Sequence, residues 1–227
     1  MSSTKTKNGR CEVRHPEEKH APARLPIDDR IRRRWSPRSF ADRMVTDKDL
    51  MTLFEAARWA PSSFNEQPWR FIVATRDDDQ AFDDVLACLS PKNREWAMEA
   101  PVLMLTAART VLAKNGGENR HAYHDVGLAM GNLILQAVTM GLYVHQMGGI
   151  DPERARQTFD VPAEFDVVTG VALGFLGDPE NLDDPGRRAS ETSSRSRRPL
   201  DDLVFENTWG HAASFVSDFE SRRSAGA

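Results

Sequence analysis

The sequence predicts an α+β fold, a sheet with helices packed on both faces. Two observations lead there. Short apolar runs of strand length recur at 71–74, 101–107, 142–144 and 167–175, and segments with helical apolar spacing lie between them. One of those segments, 121–140, is apolar on most of its faces, as suits a helix at the centre of a core or at a subunit interface.

Residues 1–24 are rich in Lys, Glu, Arg, Ser and Pro and read as a disordered tail. A single domain is expected over 25–220, with a flexible end over 221–227. Residues 25–35 read as a first helix that ends in a basic cluster, and Pro37 breaks it. Thr46-Asp47-Lys48-Asp49 opens the next helix as a capping box with Asp in place of Glu. Leu50, Leu53, Phe54 and Ala57 form its buried stripe, and Pro61 stops it. Residues 62–68 are a loop of short polar side chains before the first strand. Residues 77–89 read as a helix with Phe82, Val85, Leu86 and Leu89 on one face and Cys88 as a small core residue. Ser90-Pro91 ends that pattern, and Trp96 follows on a short helix. Gly141 closes the long helix from the C′ position. Gly127 and Gly131 on that helix leave room for a second helix to come close. Gln146-Met147-Gly148-Gly149 reads as a tight turn, and Asp151-Pro152 as an N-cap with proline at N1. Residues 177–194 are polar and read as a mobile excursion. Leu203-Val204-Phe205 reads as an added strand, and 209–219 as a closing helix or arm.

Composition excludes several classes. The 227 residues carry a formal net charge of -4, which argues against nucleic acid as the main partner. No run reaches the roughly 20 apolar residues of a membrane span. The N-terminus lacks the apolar segment of a signal peptide. The two cysteines, Cys11 and Cys88, sit in unlike surroundings and suit a reducing compartment, so a cytoplasmic location is expected. No G-x-G-x-x-G follows a strand, and there is no Walker A motif. No G-x-S-x-G and no Cys/His pair supports covalent hydrolysis. His121 and His124 share a helix face without a third ligand, so no metal site is expected.

Two stretches do suggest chemistry. In Arg34-Trp35-Ser36-Pro37-Arg38 two guanidinium groups flank a hydroxyl, a set that suits a phosphate monoester. Pro37 also frees backbone N–H groups for an anion. Ala60-Pro61-Ser62-Ser63-Phe64-Asn65-Glu66-Gln67-Pro68-Trp69 offers amides and hydroxyls to a polar heterocycle, although a plain loop has much the same composition. Arg195-Ser196-Arg197-Arg198-Pro199 repeats the basic chemistry late in the chain.

These motifs, in this order, resemble the FMN-dependent nitroreductase family from about Ile27 to Phe205. The shared signals are the R-x-S-x-R start, the P-S-S-x-N-x-Q-P-W loop, the long central helix, the G-L-x-x-x-x-x-G turn and the late basic residues before proline. The resemblance implies a central, mostly antiparallel sheet flanked by helices, in an interlocked homodimer with two FMN sites at its interface. It implies that Arg34, Trp35, Ser36 and Arg38 hold the phosphate and ribityl end, joined by Arg195 and Arg197. Pro61, Ser62, Ser63 and Asn65 would reach the isoalloxazine from the partner chain, with Gln67 nearby. Asn93 would face the pyrimidine edge, and Gln146, Met147, Gly148 and Gly149 would pack beside N5. Gly148 stands where the family often has an acidic residue, and Trp96 where some members have a lysine. The segment from Arg109 to Tyr123 is short. The implied activity is ping-pong hydride transfer from NADH or NADPH, through the flavin, to a nitro-aromatic, quinone or similar small acceptor. No side chain then need act as acid or base. The alternatives are dehalogenation, dehydrogenation or flavin fragmentation on the same fold, or a non-catalytic flavin-binding protein.

Overall fold

The computed structural model describes residues 16–224. They divide into two units, residues up to Ser194 and residues from Arg195 onward. The first unit holds one four-stranded sheet in the order β1-β2-β4-β3, with every neighbouring pair antiparallel. Its strands are β1 (Trp69–Thr75), β2 (Val102–Arg109), β3 (Leu142–Met147) and β4 (Phe165–Phe175). Each connection between them passes through helix, as the alternation of patterns predicts.

Helices lie on both faces. On one side α2 (Asp47–Arg58) and α5 (Ala122–Thr139) share a core with the sheet through Leu53, Ala57, Met130 and Leu133, against Met104 and Val171. On the other, α3 (Asp79–Ala87), α4 (Pro91–Ala97) and α6 (Pro152–Thr158) pack through Val85, Trp96 and Ala155 against Leu103, Leu105 and Ala172. Alternate residues of β2 therefore serve opposite cores, as a two-residue side-chain period requires.

Local signals behave as their chemistry predicts. The Thr46 hydroxyl accepts from Asp49 N at 3.2 Å, and the Asp49 carboxylate accepts from Thr46 N. Asp151 caps α6 with Pro152 beside it. Gly141, at φ 73°, turns the chain out of α5. Cys88 is fully buried.

Four expectations are corrected. The first helix is only α1 (Asp29–Arg33), because the Asp28 carboxylate caps it at Arg30 N. Gln146 and Met147 belong to β3 rather than to a turn, paired with Val171 and Gly170. The polar excursion contains a 3-10 turn (Pro179–Asn181) and α7 (Pro185–Thr192), whose N-cap is Asp184 and whose Glu191 is buried. Residues 203–205 form no strand. In the second unit Phe205 makes a single bridge to Ala212, between a 3-10 turn (Leu200–Asp202) and α8 (Ser214–Ser224). The first fifteen residues of the expected tail lie outside the described residues. Within the rest of it Glu17–Lys19 forms a 3-10 turn, with Lys19 buried. Among the described residues no helix is long and apolar enough to cross a membrane.

The chain between α1 and α2 is tied to the end of β4. Ala41 N donates to Phe175 O at 2.9 Å, and Gly177 N donates to Ser39 O at 3.0 Å. A Cβ at Gly177 would lie 2.5 Å from the Phe40 backbone carbon and oxygen, atoms that cannot step aside. Gly177→Ala is therefore expected to destabilise the fold by about 1–3 kcal/mol, the usual range for overpacking, and to lower the melting temperature. An unchanged melting temperature would show that residues 39–40 are less fixed than this contact implies.

Candidate functional site

The site begins where α1 ends. Arg34 is the C-cap residue of α1, and its Nη1 donates to Ser36 Oγ at 3.2 Å. The next peptide group, Pro37 to Arg38, is held at both ends. Its oxygen takes a hydrogen bond from His145 Nδ1 at 2.8 Å. Its N–H lies 3.1 and 3.2 Å from the two carboxylate oxygens of Glu191. Ser39 N reaches the same carboxylate at 3.5 Å. The N–H groups expected to serve an external anion are thus satisfied by an internal one. External anions are left the side chains of Arg34, Ser36 and Arg38.

A carbonyl can only accept, so His145 Nδ1 must carry the proton, and Nε2 is bare in the neutral ring. Burial pushes the His145 pKa down to about 4, and the positive charges of Arg38 and Arg34 add to that depression. The imidazole thus senses a positive potential from both arginines.

Aromatic rings wall this corner. The Trp96 ring centre is 4.6 Å from that of His145 and 6.5 Å from that of Phe40, stacked on the latter at 18°. The Arg38 guanidinium lies 5.9 Å from the Trp96 ring centre, within cation–π range. A cavity of about 250 Å³ opens beside Arg38, lined in part by Phe40, Arg76 and Leu182. On α4, three residues before Trp96, the Asn93 side-chain amide donates to Gly149 O at 3.0 Å, and Ser90 N donates to the same oxygen. A Cβ at Gly149 would strike Ser90 Oγ at 2.7 Å and Asn93 Nδ2 at 2.9 Å, whereas one at Gly148 would meet nothing within 4 Å. The Gly148 backbone is therefore open to a flat ligand. Trp35 points elsewhere. Its ring is buried, edge-on to Tyr143 at 5.9 Å and 4.7 Å beneath Lys19 Nζ.

The second motif is held separately. Ser63–Asn65 is a 3-10 turn. Ser63 N donates to the buried Asp125 carboxylate at 2.9 Å, and Gln67 N donates to Ser62 Oγ at 3.1 Å. Glu66 accepts from Ala113 N. Phe64, Asn65 and Gln67 all have positive φ, and the Phe64 side chain is 90% exposed. Such backbone is strained for a bulky residue and persists only where the surroundings enforce it. This loop feeds β1, one edge of the sheet, while 146–149 leaves β3, the other edge. Three strand spacings separate those edges, roughly 14 Å. Pro61, Ser62, Ser63, Asn65 and Gln67 are therefore not brought onto the Arg34–Arg38 corner of their own chain. Arg195 and Arg197 fall in the second unit, where Arg197 Nη1 donates to Ser196 O.

Sequence reasoning missed His145, Asp125, Glu191 and Lys19. Asp125, a carboxylate on the apolar face of α5, was the one with a visible signal.

An antiparallel sheet between two helical layers, with an arginine–serine corner beside an open glycine turn, is the frame of a known group. The Nitroreductase family model matches residues 31–175, and the chain belongs to the nitroreductase family. A solved structure described as an oxidoreductase containing FMN is 33% identical, covers 83% of this chain and 96% of its own, and superposes with a TM-score of 0.77. An Archaeoglobus fulgidus protein named as an NADH dehydrogenase/NAD(P)H nitroreductase is 28% identical, over 66% of this chain and 84% of its own length. The 5,6-dimethylbenzimidazole synthase of Rhodospirillum rubrum is 28% identical, over 66% and 81%.

The His145 pKa gives a pH prediction. In the fold it is lowered to about 4 from 6.5, so between these values the unfolded chain binds more protons than the native one. Stability then rises with pH across the window and falls as pH drops from 6.5 toward 4, by about 3 kcal/mol at most. Urea titrations should show this slope in the wild type and a shallower one in His145→Gln. Parallel pH profiles would contradict the buried neutral ring.

Proposed function

We propose that this chain binds FMN and works as an NAD(P)H-dependent reductase of nitro-aromatic, quinone or similar acceptors. The observation that carries the reading is the convergence, around one clamped peptide, of Arg34 with Ser36, Arg38 over Trp96, and Asn93 with the open Gly148 turn. The donor set fits the cofactor. A guanidinium fork beside a hydroxyl suits a phosphate monoester. The side-chain amide of Asn93 suits a pyrimidine edge, and the bare Gly148 backbone suits a flat ring. Positive charge and N–H donors near the pyrimidine would favour a reduced, anionic flavin. When bound, FMN supplies the electron-transfer chemistry, taking electrons from NADH or NADPH and passing them to an acceptor in alternating steps. The chain's part is to bind, orient and screen, and no side chain is assigned an acid or base role.

The reading includes a homodimer. The two motifs lie on opposite sheet edges, so the loop at Pro61, Ser62, Ser63, Asn65 and Gln67 would serve the partner's flavin. Two features support this. Phe64 projects into solvent from a strained, pinned loop, and Gly127 and Gly131 leave a face of α5 with nothing within 4 Å of their Cβ positions. A glycine face of this kind lets a second helix approach closely. The resemblance to a 5,6-dimethylbenzimidazole synthase supports a second reading, in which bound FMN is itself broken down.

The test is the absorbance of the purified protein before and after anaerobic NADPH and then NADH. Flavin bands that bleach, and return with an acceptor, are expected. Flavin bands lost under air without return favour the second reading, and a protein that takes up no FMN contradicts both. Arg38→Ala should weaken FMN binding by about 1.5–3 kcal/mol, the range for a hydrogen bond to a charged group. An unchanged Kd would remove Arg38 from the site.

A further inference from the structure

Two segments outside the family-matched residues 31–175 meet at the arginine corner. One is α7, which carries Glu191. The other is the 3-10 turn that carries Lys19. Both side chains are buried, Glu191 at 2% exposure and Lys19 at 5%. The Glu191 carboxylate sits against the N–H groups of Arg38 and Ser39. Lys19 Nζ donates to Ser190 O at 2.6 Å and to Ser193 O at 2.8 Å, carbonyls at the C-terminal end of α7. That end carries the negative pole of the helix, where a cation is favoured. The lysine also rides on the Trp35 ring, so it ties α7 to the arginine segment. Arg38 Nη1 adds a long contact to Ser190 Oγ at 3.5 Å.

Buried carboxylates are rare unless paired. Burial pushes the Glu191 pKa up, while the Arg38 and Ser39 amides and the charges of Arg38 and Lys19 oppose that shift. The groups facing the carboxylate are thus donors and cations, the lining of an anion nest.

We propose that Glu191 is an internal anion that fills the Arg38–Ser39 amide nest, and that α7, locked by Lys19, positions the Arg38 side chain for FMN. The effect on FMN rests on the reading above; the nest does not. Glu191 is a positioning residue, since it acts through the Pro37–Arg38 peptide. Without it that peptide keeps only the His145 bond, and the guanidinium loses its fixed base.

Glu191→Ala removes a fragment the size of acetate, so acetate should replace it. FMN Kd is measured by titration, and thermal stability by melting without FMN, in sodium acetate and in sodium chloride of equal ionic strength. The expected result is FMN binding weakened about tenfold in Glu191→Ala, as loss of a charge-assisted bond implies. Acetate should recover part of that loss and raise the melting temperature of the variant, leaving the wild type unmoved. Glu191→Gln, which keeps one acceptor oxygen in place, should fall between. A merely structural role predicts a lower melting temperature with FMN affinity unchanged, and that result overturns the proposal, as does acetate no better than chloride. If Glu191→Ala does not fold, Lys19→Met is read in its place: weaker FMN binding supports the strap, and unchanged binding overturns it. Wild-type protein that takes up no FMN sinks the reading of the site, and the acetate melt alone then decides the nest.

Discussion

The peptide between Pro37 and Arg38 is the fixed point of the site. One side of it is tied to β3 by the His145 ring, the other to α7 by the Glu191 carboxylate. Neither bond is local. Their partners lie 108 and 153 residues further along the chain, so the arginine segment takes its shape only when the sheet and the late helix are both in place. Trp96 fills the space beneath, against His145 and Phe40. Its bulk at that position makes the corner aromatic, and Arg38 supplies the charge above it.

The same packing accounts for the electrostatics. A protonated imidazole at residue 145 would sit in poor solvent beside two guanidinium groups, so the ring stays neutral. A neutral ring with its proton on Nδ1 can hold the Pro37 carbonyl throughout the physiological range. In the proposed reading the two arginines face the phosphate of FMN. The serine loop has its own fixed point, the buried Asp125 carboxylate beneath Ser63 N. The serine loop leads into β1 and His145 lies on β3, the two edges of the sheet, and the proposed dimer rests on that separation.

Much of the frame was legible because its signals are local. The Thr46 capping box, Asp151 before Pro152 and Gly141 after the long helix each depend on residues within a few positions. All four strand runs are legible, but the third stops at Val144 in the sequence, since Gln146 and Met147 are polar or flexible residues held in β3 by pairing with β4. The family motifs marked Arg34, Ser36, Arg38 and Asn93, which the fold gathers at one corner. Trp35 carries the motif, but its ring faces the core. Glu191, Lys19 and His145 were not legible. Each is an ordinary polar residue in its own window and gains its role from a partner far along the chain. The composition of 177–194 pointed to a mobile segment, because nothing local shows that Glu191 will find two amides.

The central claim is that one FMN is held by the Arg34–Arg38 corner of one chain and the Ser62–Asn65 loop of another. The most direct measurement is subunit complementation. A chain with Arg34 and Arg38 replaced by alanine and a chain with Ser62, Ser63 and Asn65 replaced by alanine are each purified without flavin, then refolded together. Native mass spectrometry confirms hybrid dimers, and FMN absorbance is read on them. The account predicts that the hybrids regain bound FMN that neither parent holds, because one of their two sites combines an intact corner with an intact loop. Hybrid dimers that form and bind no FMN would contradict a site shared between chains.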